Sequence, residues 1–253
     1  PYGQLVDIDA IPMPDYSVFE SERFFRPMSG SIYKTIPIEV NRGCPYLCTF
    51  CASHKTHGRK MRYHSVERVK EDLTKLKEHY GAKTVVFQDD HLMGDKDRVY
   101  QLLDIVGKLK LGSLYQNGLT LYALDRPMLE AFYKAGVRHL VLPVESGSAK
   151  VLKEQMKKPL KFHISERVAL DCRELGIYTN TNILIGMPGE TKKDFEEHLR
   201  MMKRDFSIIN LAEVKDFFLN KKDQGFKDPG MLITFDDGLS DHYHAAKILS
   251  DND

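Results

Sequence analysis

The stretch Cys44-Pro45-Tyr46-Leu47-Cys48-Thr49-Phe50-Cys51 places three of the four cysteines of the chain within eight residues. It follows an apolar, β-branched run at residues 36–40, which predicts a first β-strand. Thiols at C-x3-C-x2-C spacing on one loop indicate a metal site. Three protein ligands also leave one coordination position open, which a reaction needs and a structural site avoids.

Two histidines follow the cysteines at short spacing, so a Cys3His zinc site is a second interpretation of the loop. Zinc would take His54 or His57 as the fourth ligand of a closed tetrahedron. The simpler interpretation of both histidines is a solvated basic loop beside the metal, since the same segment holds several Lys and Arg residues. Those cations would also suit an anionic substrate. They are Lys55, Arg59, Lys60 and Arg62.

Composition limits the class of protein. The chain has 253 residues, of which 42% are hydrophobic, so it can bury a sizeable core. Its formal net charge of +1 indicates neither a nucleic-acid nor a membrane partner. Because it has no long apolar run and no secretory pattern at its start, we expect a soluble protein. The clustered cysteines do not resemble a disulfide framework, so we expect the cytoplasm.

Apolar strand patterns alternate with amphipathic helix patterns along the middle of the chain, which predicts repeated βαβ units. We therefore predict an α/β fold, a partial (β/α) TIM-type barrel with an open parallel sheet. Its site would lie at the C-terminal ends of the strands. Cys172 lies on a helical core stripe and is predicted to be buried. The predicted strands are at residues 36–40, 84–87, 114–122, 139–142 and 182–185.

Three domains are predicted along the chain. Residues 1–33 are rich in Pro and aromatic residues without periodicity, which indicates an irregular arm. Residues 34–205 form the α/β core. The periodic pattern weakens after it, so residues 206–253 are predicted to be a short appended α/β segment.

The cysteine motif, with the aromatic Phe50 before the third cysteine and a strand before the loop, resembles the radical S-adenosylmethionine (SAM) superfamily. The resemblance implies that Cys44, Cys48 and Cys51 hold a [4Fe-4S] cluster whose open iron binds SAM. It implies an enzyme that cleaves SAM reductively to a 5′-deoxyadenosyl radical, for hydrogen abstraction or radical methylation of an unidentified small or macromolecular substrate. An electron donor such as flavodoxin or ferredoxin is then expected.

The resemblance also implies a SAM site at the ends of later strands. One of Asp89 and Asp90 would accept hydrogen bonds from the amino group of SAM, although the family often has Gly-Gly-Glu there; the alternative is that an Asp only caps the following turn. Glu145 and Ser146 follow the fourth strand, and the turn at Gly186 and Pro188 follows the fifth. Phe50 completes the predicted cofactor-binding residues. The Asp-Asp pair is typical of the cobalamin-dependent and methylthiotransferase-like subgroup.

The N-terminal arm resembles the linker that precedes the radical domain in cobalamin-binding members of that subgroup. Cobalamin, if used, would bind a domain upstream of this chain. The stretch at residues 230–238 instead resembles the first motif of NodB-like polysaccharide deacetylases, in which Asp236 would be the catalytic base and Asp237 a metal ligand. The alternative is that residues 231–235 form a sixth barrel strand.

Overall fold

Strands and helices alternate along the part of the chain that this computed structural model describes, residues 7–18, 34–205, 207–209 and 230–232, with side chains up to residue 201. The helices are α1 (Ser53–Thr56), α2 (Val66–Glu78), α3 (Lys96–Leu109), α4 (Arg126–Lys134), α5 (Phe162–Leu175) and α6 (Lys192–Asp205), with a π-helical turn at Val151–Gln155. The strands are β1 (Thr35–Ile38), β2 (Asn41–Arg42), β3 (Arg62–Tyr63), β4 (Thr84–Phe87), β5 (Gly112–Tyr115), β6 (His139–Glu145), β7 (Tyr178–Ile183), β8 (Ser207–Ile209) and β9 (Gly230–Leu232).

The first sheet has the order β1-β4-β5 and is parallel, as predicted. β6 pairs with β7, β2 with β3 in antiparallel fashion, and β8 with β9 in parallel. β9 covers the first part of the strand predicted at 231–235. The deacetylase-like Asp236 and Asp237 lie outside the described residues.

Two predicted strand positions are wrong. The strand predicted at 114–122 ends at Tyr115, because the chain turns there and Gly118 adopts a φ of +76°. The strand predicted at 182–185 begins earlier, at Tyr178. Its polar, alternately exposed Thr and Asn residues hide it from a search for apolar runs.

The helices begin at side-chain caps and bury apolar stripes. The side chain of Ser65 caps α2 by accepting from the Arg68 N–H, and that of Asp95 caps α3 by accepting from the Arg98 N–H. α5 ends at Gly176 with a φ of +73°. Cys172 is fully buried on α5, which confirms the prediction for this cysteine.

Aromatic residues connect the first sheet to the helix layer. The rings of Phe87 on β4 and Tyr115 on β5 are stacked with centroids 5.0 Å apart. The ring of Phe132 on α4 meets Tyr115 edge-on at 5.1 Å. This packing fixes β4 and β5 in register, and with them the polar residues that follow β4.

The described part of the N-terminal arm, residues 7–18, is attached to β1 and to the start of α2. The Tyr16 hydroxyl donates to the Pro37 carbonyl at 2.8 Å. The Asp9 carboxylate accepts from the Ser65 N–H at 2.9 Å and lies 3.0 Å from Nδ1 of His64. The arm therefore covers the edge of β1 that does not pair with β4.

The chain divides into two compact units. The first contains the described residues up to Val144 together with Lys158–Ile183. The second contains Glu145–Lys157 and the described residues from Leu184 onward. None of the helices in the described part of the chain is long and apolar enough to cross a membrane.

Candidate functional site

The three clustered cysteines lie on the loop between β2 and α1, which we call the cysteine loop (residues 43–52). Cys44, Cys48 and Cys51 are not joined in disulfides and are partly exposed. Soft thiolates on an accessible loop are the ligand set that iron–sulfur clusters use. Among the described residues, no group of three or more His, Cys, Asp or Glu side chains is already arranged to hold a metal ion.

The cysteine loop begins at Gly43, where the chain approaches the backbone at residues 58–60. The Cys44 N–H donates to the Gly58 carbonyl at 3.2 Å. Gly43 has a φ of +97°, and a Cβ there would lie 2.4 Å from the Lys60 carbonyl oxygen. Only glycine fits this position.

Local contacts fix the backbone of the loop. The Arg59 guanidinium donates to the Tyr46 carbonyl at 2.5 Å, and Sγ of Cys51 lies 3.2 Å from the Ser53 hydroxyl.

Burial raises the pKa of Cys44, and the nearby Cys51 and Asp90 raise it further. The raised pKa favours the protonated thiol of Cys44, which would release its proton on binding a metal.

The predicted cofactor residue Asp89 is buried beneath the start of the cysteine loop. Its Oδ1 accepts from the Val40 N–H at 2.9 Å and from the Asn41 N–H at 2.6 Å. Its Oδ2 has no hydrogen-bond partner among the described residues. Burial raises the pKa of Asp89 to about 7, although its two backbone hydrogen bonds lower it.

The predicted cofactor residue Asp90 binds a histidine that follows the loop. Its Oδ2 lies 2.7 Å from Nδ1 of His57, and Nε2 of His57 lies 3.7 Å from Oε1 of Glu39. The second oxygen of Glu39 accepts from Arg42 at 2.7 Å. His57 therefore lies between two carboxylates in this structure, and its Nδ1 faces Asp90, not a cysteine of the proposed zinc site.

Phe50 is the last predicted cofactor residue in the first compact unit, and it is 37% exposed. The Lys158 ammonium lies 5.9 Å from its ring centroid. Leu47, on the same loop, is 58% exposed. The cysteine loop therefore presents two large apolar side chains at its surface.

In the second unit, Glu145 and Ser146 are buried at the end of β6. Glu145 has a φ of +66°, a conformation that costs a residue with a side chain about 1–3 kcal/mol and is typical of functional sites. The Ser146 hydroxyl accepts from the Ser148 N–H at 3.1 Å. This hydrogen bond stabilises the loop that contains Ser146.

The Gly186 turn (residues 186–190) is closed by the carboxylate of Glu190. Oε2 of Glu190 accepts from the Gly186 N–H at 2.6 Å and from the Met187 N–H at 3.0 Å. Gly186 has a φ of +89°, and nothing lies within 4 Å of where its Cβ would be. The turn also holds Pro188, which is exposed. The turn therefore has a hydrogen-bonded backbone, with open space next to Gly186.

Sequence analysis missed the residues of α6 that support the Glu145 loop. A Cβ on Gly147 would lie 2.7 Å from Cα of His198, so the loop contacts α6 directly. The Ser148 hydroxyl donates to Asp194 at 2.9 Å. Asp194 also accepts from the N–H and hydroxyl of Thr191, so the two residues form a capping pair at the start of α6. The sequence signal that could have indicated this contact is Gly147, the glycine that follows Glu145-Ser146.

Comparison with known proteins identifies the family. Residues 38–202 match the radical SAM superfamily, and the chain belongs to that superfamily. Its members are enzymes that use SAM and an iron–sulfur cluster. The matched range contains the cysteine loop and every predicted cofactor residue.

Two relatives carry the name methyltransferase. Cytidylyl-2-hydroxyethylphosphonate methyltransferase of Streptomyces wedmorensis is 29% identical over 199 residues, which are 76% of this chain and 37% of that protein. An uncharacterized methyltransferase of Pyrococcus horikoshii is 27% identical over 218 residues, 84% of this chain and 46% of that protein. The chain thus spans less than half of either relative.

The solved structure of the radical SAM methyltransferase TsrM of Kitasatospora setae, with cobalamin and a [4Fe-4S] cluster bound, has the same fold. Its TM-score is 0.62 at 19% identity, and the match covers 72% of this chain and 36% of that one. This likeness confirms the predicted α/β fold with a parallel sheet, a partial TIM barrel.

Proposed function

We propose that this chain is the catalytic core of a radical SAM methyltransferase in which Cys44, Cys48 and Cys51 hold a [4Fe-4S] cluster. The observation that supports this most directly is the set of three partly exposed cysteines, none of them in a disulfide, on one short loop after β1 and β2. Their number leaves one iron for SAM. When bound, the cluster and SAM supply radical chemistry by reductive cleavage of SAM.

The residues of the second unit are proposed to hold SAM. The Glu145 carboxylate would accept hydrogen bonds from the ribose or methionine part of SAM. The open space above Gly186 would let adenine lie against the backbone of the turn, with Pro188 beside it. Phe50 would contribute an apolar surface from the cysteine loop.

Methyl transfer is the reaction that we propose, because two relatives are named methyltransferases. Cobalamin, which is bound in the similar TsrM structure, would serve as a further cofactor held by residues outside this chain. The substrate class stays open, since fold does not fix function.

The reductant is proposed to be an acidic flavodoxin or ferredoxin that binds at the cysteine loop. Residues 40–66 contain five Lys or Arg residues and no Asp or Glu, in a chain of net charge +1. Exposed Leu47 would be the apolar centre of this contact. Cysteines outside disulfides and a reduced cluster are compatible with the cytoplasm.

Titration of SAM into the anaerobically reconstituted protein tests the proposed site. We expect Glu145→Gln to weaken SAM binding by about tenfold to a hundredfold, because one charge-assisted hydrogen bond contributes about 1.5–3 kcal/mol. Iron content should not change, since Glu145 would contact SAM and not the metal. Unchanged affinity in the calorimeter would remove Glu145 from the SAM site.

A further inference from the structure

Three consecutive residues after β4 contact three successive parts of the cysteine loop and its flanks. Asp89 accepts hydrogen bonds from the backbone N–H groups of Val40 and Asn41, before the loop. The ring of His91 meets that of Tyr46, inside the loop, edge-on at 5.1 Å. Asp90 binds His57, after the loop, at 2.7 Å.

We infer that residues 89–91 are a template that holds the cysteine loop in shape, and that Asp89 and Asp90 are positioning residues rather than SAM ligands. The sequence resemblance implied that one of them binds the amino group of SAM. In the structure, however, one oxygen of each carboxylate is already bonded to the segment that carries the cysteines.

The geometry explains why two adjacent acids serve two ends of one loop. The two carboxylates differ in their burial and in their partners. Asp89 is 3% exposed and reaches the backbone that leaves β1. The side chain of Asp90 is 13% exposed and meets the half-buried His57.

The His57 contact is reinforced from β1. A carboxylate only accepts hydrogen bonds, so Nδ1 of His57 donates to Asp90. Nε2 faces Glu39, which is held in turn by Arg42. The Arg62 guanidinium donates to the His57 carbonyl at 2.6 Å, so both the ring and the backbone of His57 are fixed.

The contacts of residues 89–91 go to Val40, Asn41, Tyr46 and His57. They therefore hold the loop through residues other than the cysteines. The inference rests on the proposed function only for the identity of the group that the thiols bind.

Hydrogen exchange of the metal-free protein, followed by mass spectrometry, tests the template without any cluster. We expect Asp90→Ala and His57→Ala each to speed amide exchange in residues 41–57 by about tenfold to a hundredfold, the effect of losing one charge-assisted hydrogen bond. The double variant should be no faster than either single one, because both remove the same contact.

Asp125→Ala is the matched control. Asp125 also accepts from a backbone N–H, that of Met128, and pairs with Lys96, and none of its hydrogen bonds or ion pairs in the described part of the chain reaches the cysteine loop. It should lower the melting temperature without faster exchange in residues 41–57. Equal exchange of that peptide in Asp90→Ala and in the wild type, or the same acceleration in Asp125→Ala, would overturn the template.

A conservative change separates positioning from SAM binding. The amide oxygen of Asp89→Asn still accepts from Val40 and Asn41, so this variant should keep the loop protection and the SAM affinity that Asp89→Ala loses. If the Asp89 charge neutralised the amino group of SAM, Asp89→Asn would lose SAM affinity while the loop stayed protected, and the inference would be wrong. Wild-type protein that takes up no iron would defeat the proposed function but leave the exchange result standing.

Discussion

Four cysteines of identical chemistry differ in what surrounds them. Cys172 is 0% exposed on the inner face of α5, and burial raises its pKa to about 12, so it is an inert thiol. The three loop cysteines are partly exposed on a loop that begins at Gly43. Spacing alone predicted the burial of Cys172, because a helical stripe is a local pattern, while the metal-binding role of the other three stays a prediction.

The roles of Asp89 and Asp90 could not be predicted in the same way. The resemblance implied a cofactor contact, but the bonds of Asp89 to Val40 and Asn41 depend on the parallel register of β1 and β4. That register joins residues nearly fifty positions apart. A sequence pattern without pairing information does not contain it.

At the residue scale, Gly43→Ala should impair the loop more than Gly58→Ala does. Both positions have a positive φ, which costs an alanine about 1 kcal/mol. Only at Gly43 would the new Cβ also meet backbone, 2.4 Å from the Lys60 oxygen, whereas nothing lies near that of Gly58. We expect a clearly larger fall in melting temperature, with iron loss, for Gly43→Ala. Equal shifts in calorimetry would contradict the close approach.

At the scale of elements, apolar and capped segments were predictable and polar ones were not. β4 is fully buried and was predicted with its observed bounds. β7 was misplaced because its Tyr-Thr-Asn-Thr-Asn residues alternate between exposed and half-buried. The support of the Glu145 loop by α6 was missed, since His198 lies on a helix face that shows only amphipathic spacing in the sequence.

His198 on α6 predicts a pH dependence. Burial lowers its pKa to about 4, well below that of an unfolded histidine, while nearby Asp194 and Glu197 raise it. The unfolded chain therefore binds the proton first as the pH falls. Its contribution to stability is present above about pH 6.5 and is lost between there and pH 4.

When the pH falls from 7 to 5, we expect the unfolding free energy of the wild type to decrease by about 2 kcal/mol more than that of His198→Gln. The comparison with a variant isolates His198 from Asp89, whose raised pKa acts in the opposite direction. Denaturant titrations at both pH values measure the difference. Parallel pH profiles of the two proteins would show that His198 is not a buried neutral imidazole.

At the scale of the whole molecule, the family and the α/β fold followed from the sequence, while the grouping of residues into units did not. The cysteine loop and the Asp89-Asp90 pair belong to one compact unit, and Glu145 and the Gly186 turn to the other. The chain covers less than half of its relatives. Substrate choice and the use of cobalamin are therefore proposals rather than properties that the chain shares with these relatives by similarity alone.

The central claim is that three cysteines, and not the fourth, hold a [4Fe-4S] cluster. Iron and sulfide analysis of anaerobically reconstituted protein, with an absorption spectrum, tests it most directly in the wild type, Cys48→Ala and Cys172→Ala. We predict about four irons and four sulfides per chain in the wild type and in Cys172→Ala, and loss of the cluster in Cys48→Ala. A colourless wild type with one zinc, or a cluster that survives Cys48→Ala but not Cys172→Ala, would contradict the account.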